Sequence, residues 1–212
     1  YNIDDVEDYK QQILKSASSL DENGVVSNPT YPQEIVDTIM DTRYFSTDEK
    51  YDLINGLKDQ NAAEQNKITE EIMQLNDEVF ALEENKEFKE LSLKRDQLLT
   101  VAQKSKNEAD KTEAMKQVQE IETNPIYAEN VTKIDEKNNI INQKQEISDT
   151  LTANDKKYTK ILNEQAETLQ EISIKSYDIY RKLKEANENE KPFDVVTTIK
   201  SLNKFENADK AV

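Results

Sequence analysis

The stretch YTKILNEQAETLQEISIKSYDIYRKL, residues 158–183, decides the fold. Tyr158, Leu162, Gln165, Leu169, Ile172, Ser176, Ile179 and Leu183 advance by alternating steps of four and three, which lays them along one face of an α-helix and asks for a facing helix. Gln165 and Ser176 would lower stability while fixing register, and Ile161, Ile174, Tyr177 and Tyr180 widen the stripe enough to touch two neighbours. The spacing therefore predicts a bundle, with Tyr177 and Tyr180 at the margin of its core. A second seam, Ile68, Ile72, Leu75, Val79 and Leu82, has the same rhythm and needs its own partner. The fold class that follows is all-α: an elongated antiparallel helical bundle, or coiled-coil hairpins, with short terminal helices.

Outward from these seams, the chain is punctuated where helices start and stop. Glu83-Glu84-Asn85-Lys86 occupies positions where a continuous seam would want carbon, so a bend or an exposed turn is expected there. The polar run from Ser105 through Asp110 turns the chain again, and Asn124-Pro125 restarts a helix, with Asn124 as cap and Pro125 at the first helical position. Nearer the start, Ser46 and Glu49 form a capping-box pattern. Ile3, Val6, Tyr9, Ile13, Ala17 and Leu20 predict a first helix over 3–20 ended by Asn23-Gly24, and Ile35, Ile39 and Met40 predict a short second helix opened near Pro32. Three regions result: residues 1–45, short helices and an aromatic-rich tip; 46–187, the long-helix bundle; and 188–212, a linker and a C-terminal helix packing across one end. Together they make one domain. Glu84 to Phe88 with Asp96, and Thr123 to Tyr127 with Asp135, share a faint pattern 39 residues apart, as a spectrin-like or duplicated hairpin would.

Composition removes several function classes. Only 2 Gly and 4 Pro in 212 residues leave little room for a turn-rich β architecture. A net charge of −16 repels bare nucleic acid and anionic lipid. Without Cys or His there is no thiolate nucleophile, imidazole base or soft-ligand zinc site, and neither a calcium-loop pattern nor a phosphate-cradling glycine loop is present. The abundant carboxylates, such as Glu70 with Glu71 or Glu83 with Glu84, read as solvated helix faces. The expectation is a protein that is no enzyme, with no cofactor, metal or catalytic residue. No apolar window reaches the roughly 18–20 residues that span a bilayer, so this segment is not expected to insert in a membrane.

Tyr supplies 9 of the 14 aromatic side chains, and Tyr31, Tyr44, Phe45 and Tyr51 gather around the short second helix and its turns. Two readings stand: a recognition tip for a protein or glycan, or a local mini-core sealing the bundle end. The helix Tyr177-Asp178-Ile179-Tyr180-Arg181-Lys182-Leu183-Lys184, the acidic linker after it and Ile199-Lys200-Ser201-Leu202-Asn203 resemble the helical cell-wall-binding lipoproteins of Gram-positive bacteria. The resemblance covers about a quarter of the chain, and the lipidated Cys of such proteins is missing from it. It implies a helical domain tethered outside the membrane, with an anchoring segment upstream of Tyr1, and it transfers no catalytic residue. Zero Cys and a bias to Asn, Ile and Lys suit such an origin. The expected function is a non-catalytic extracytoplasmic interaction domain, of surface lipoprotein or adhesin type, binding a protein or cell-wall component. The alternative is a cytoplasmic coiled-coil scaffold that self-associates, as a homodimer, through an unsatisfied seam.

Overall fold

The computed structural model describes residues 3–41 and 43–188, and among them the chain is all-α. Its helices are α1 (Ile3–Ser16), α2 (Gln33–Met40), α3 (Thr47–Glu83), α4 (Lys86–Lys104), α5 (Glu108–Glu122) and α6 (Pro125–Glu188). The expected linker and C-terminal packing helix lie outside the described residues.

Side chains that satisfy the first amides set the helix starts. The Ser46 N–H donates to Glu49 Oε2 at 2.7 Å while the Glu49 N–H donates to Ser46 Oγ at 3.3 Å, so the capping box opens α3. Asn85 accepts from the Phe88 amide, Asn107 from the Ala109 amide, and Asn124 from the Ile126 amide with Pro125 following it. The expected breaks at 84–85 and 105–107 are turns between helices.

α1 stops four residues short of the expected Leu20. The cause lies on α3, where the buried carboxylate of Glu64 accepts from the Ser19 N–H at 2.9 Å and the Ser18 hydroxyl at 3.3 Å, taking an amide that a longer helix would have used. Leu20 then bridges to Val26, and Gly24, at φ 72°, serves the turn between them instead of ending a helix. Asp21 holds that turn by accepting from the amides of Asn23 and Val25.

The described residues form two compact units, one running up to Gln65 and again from Asp149, the other Asn66–Ser148. In the first, Val36 and Ile39 of α2, Phe45 ahead of α3, Leu53, Ile54 and Leu57 of α3, and Tyr158 and Leu162 of α6 are buried as one cluster, with Ile13 and Leu14 of α1 against it. Each fully buried aliphatic side chain contributes roughly 1.5–3 kcal/mol. α3 and α6 run antiparallel here: Asn61 Nδ2 donates to the Leu151 carbonyl at 2.8 Å, and Lys58 stands 3.8 Å from Asp155.

In the second unit α3 and α6 are again antiparallel, tied by Glu71 to Lys144 and by Glu78 to Lys137. Arg95 of α4 meets Glu122 of α5 at 2.7 Å. The two stretches of the faint repeat both lie within this unit. Val79 and Val118, 39 apart, are both buried, Asn85 and Asn124 are both N-caps, and Phe88 and Tyr127 stack on each other with ring centroids 5.3 Å apart. The seam of Ile68 to Leu82 is covered along its length, every one of its positions being buried or half-buried.

The C-terminal seam behaves differently. Tyr158 and Leu162 are buried, Gln165, Leu169, Ile172 and Ile179 are half-buried, and Ser176 and Leu183 are exposed. Ile174, Tyr177 and Tyr180 are 59%, 69% and 64% exposed, which corrects the expectation that both tyrosines border a core. Periodicity specifies a face but not its cover, and α1 and α2, of 14 and 8 residues, are short beside the 64 of α6.

Candidate interaction surface

The expected aromatic tip separates into packed and exposed members. Phe45 is buried and stacks on Tyr9 of α1, with centroids 6.2 Å apart. Tyr51 is half-buried against the core cluster. Tyr31, also half-buried, lies against the buried Tyr158 of α6 at 5.3 Å, and the Lys157 ammonium sits 4.5 Å from its ring centroid on the cation-attracting face. Burial raises the Tyr31 phenol, with the nearby Asp37 charge adding to it. Tyr158 is pushed well above the ordinary tyrosine range, first by burial and then by Tyr31 and Glu64. These three residues therefore hold α1, α2, α3 and α6 together.

Tyr44 remains outside, 59% exposed. The Arg43 guanidinium stands 5.5 Å from its ring centroid and grips Asp41 in a fork, with Nη2 to Oδ2 at 2.7 Å and Nε to Oδ1 at 3.1 Å. That hydrogen bonding holds the Asp41 carboxyl down at about 2. A loop residue with an aromatic face and a fixed cation suits contact with a partner.

The first unit also holds an open hollow of about 280 Å³, lined largely by polar groups that include Ser19, Asp21, Ser27, Asn28 and Thr30. Asn28, at φ 43°, turns the chain into it. Among the described residues no group of three or more metal-ligating side chains is placed to hold an ion, and no helix is long and apolar enough to cross a membrane.

Two exposed apolar stripes fall outside the expected site. One is Ile174 and Tyr177 on α6, followed on the same face by Arg181 and Lys184. The other is Met73 and Phe80 on α3, 62% and 64% exposed, alternating with the exposed Glu70 and Asp77. Both were present in the sequence as three-and-four steps, hidden beside seams that carry more carbon. Tyr and Arg are the residue types that dominate protein-binding hot spots, whereas an acid-rimmed Met and Phe pair favours a cationic partner. Set against protein-family models, curated proteins and solved structures, the chain matches none of them.

Proposed function

We propose that this chain is a non-catalytic helical interaction domain that works at the cell surface and binds a protein or cell-wall component. The observation that carries the reading is the exposed end of α6, where Ile174, Tyr177 and Tyr180 stay in water on a helix that buries Tyr158 and Leu162 a few turns earlier. Apolar area left in water forgoes about 25 cal/mol per Å², and contiguous patches of it mark sites of association. The decisive experiment places a photo-crosslinking amino acid at position 177 in living cells. An adduct with another protein or with wall polymer, lost on Tyr180→Ser, supports the reading; a crosslinked yield no higher than at the exposed control position 90 overturns it.

The second reading is a self-associating scaffold. The half-covered heptad positions Leu169, Ile172 and Ile179 favour it, because such a seam is completed by another helix. Adducts made only with other copies of the chain would select it.

A further inference from the structure

The two exposed stripes fit each other. On α3 the stripe is Glu70, Met73, Asp77 and Phe80, and on α6 it is Ile174, Tyr177, Arg181 and Lys184. Each set advances by steps of three, four and three, so two helices laid antiparallel bring the members into register one by one. Phe80 then meets Ile174, Asp77 meets the Tyr177 hydroxyl, the stem of Arg181 covers Met73, and Glu70 meets Lys184. Carbon faces carbon at one end and opposite charges face each other at the other.

We propose that the α6 stripe of one molecule docks on the α3 stripe of a second copy of this chain. The occupant follows from charge. The chain carries 44 acidic against 28 basic residues, so copies repel in general and associate only where the sign reverses locally. Residues 174–184 are such a place, holding Ile174, Tyr177 and Tyr180 among Lys175, Arg181, Lys182 and Lys184 with Asp178 as their one acid. Arg181 already pairs with Asp178 at 2.9 Å in its own helix, which holds its guanidinium beside the stripe. Because the two faces differ, one contact leaves each copy with a second face, which either closes the same pair a second time or takes a further copy. This inference rests on the interaction-domain reading and names the partner for the second of its forms.

Sedimentation tests it with two variants of the full chain, Glu70→Lys with Asp77→Lys, and Arg181→Glu with Lys184→Glu. All four side chains lie on exposed helix surface, and circular dichroism melting verifies that both variants keep the fold. The wild type is expected to grow in average mass with concentration, and each variant alone to associate at least tenfold more weakly. Mixed one to one, the variants associate again, because one pair of faces is native and in the other pair the charges are reversed on both sides. A wild type that stays at 24.5 kDa at every concentration overturns the proposal, as does a mixture no heavier than its parts. Either outcome leaves the position-177 crosslink to another protein standing, so the two ideas fail separately.

Discussion

Glu64 shows how one buried carboxylate edits a helix. It takes the Ser19 amide and the Ser18 hydroxyl at the end of α1, so Glu64→Ala strands a donor and should cost about 1–3 kcal/mol, read as a lower midpoint in urea. Asn61, whose amide reaches the Leu151 carbonyl, should cost a similar amount on truncation to Ala. Two ionisable groups give pH signatures of opposite direction. Asp41 is held at about 2 by the Arg43 fork, below its unfolded value, so its contribution is present at neutral pH and fades as pH falls through that value. Arg43→Ala should return the Asp41 midpoint toward the ordinary 3.9 or so, followed by NMR titration. Tyr158 is raised, so its contribution is complete below the unfolded tyrosine value near 10 and is lost as pH climbs above it. Ultraviolet titration should find this phenol among the last to ionise, and Tyr158→Phe should flatten the alkaline loss of stability.

At the scale of elements, helix starts were the most legible part of the chain. Ser46 with Glu49, and Asn124 with Pro125, act through hydrogen bonds that span three or four residues, so their meaning travels with the local sequence. The end of α1 was not legible, because its terminating group sits on α3, 45 residues away. The same distinction divides the aromatic cluster, in which Phe45, Tyr51 and Tyr31 are drawn inward by Tyr9, the α3 core and Tyr158, while Tyr44 keeps to the surface beside Arg43. It also separates the halves of the last seam. Ile54→Ala, in a fully buried position, should cost about 2–5 kcal/mol, whereas Ile172→Ala, half-covered, should cost well under half as much, and thermal melts of the pair would show it. Gly56 lies in the interior of α3, and a Cβ there would meet Leu14 Cδ2 of α1 at 3.1 Å. The helix-propensity gain of Gly56→Ala, about 1 kcal/mol, is therefore set against displacement of Leu14, and near-neutral stability is expected, whereas the same substitution compared within a Leu14→Ala background should be stabilising.

At the scale of the molecule, charge sets the conditions under which the helices hold. With −16 at pH 7 the chain repels itself, and the ion pairs are mostly exposed and individually weak. Screening should relieve more repulsion than it removes attraction, so raising salt to about 0.5 M should raise the melting temperature. A fall would mean that bridges such as Arg95 to Glu122 outweigh the net charge. The all-α class was readable because spacing and composition agree along the whole chain, whereas the division at Gln65 and Asp149 has no marker of its own, falling inside α3 and α6 where the sequence stays helical. The Phe88 and Tyr127 stack has one more consequence. α4 leans on the start of α6 through those rings and on α5 through Arg95 to Glu122, so the peptide link at Lys106 is not all that keeps the segments before and after it together. A protein nicked there by trypsin should still migrate as one particle under native conditions, and its pieces, once parted in denaturant, should find each other again on dilution.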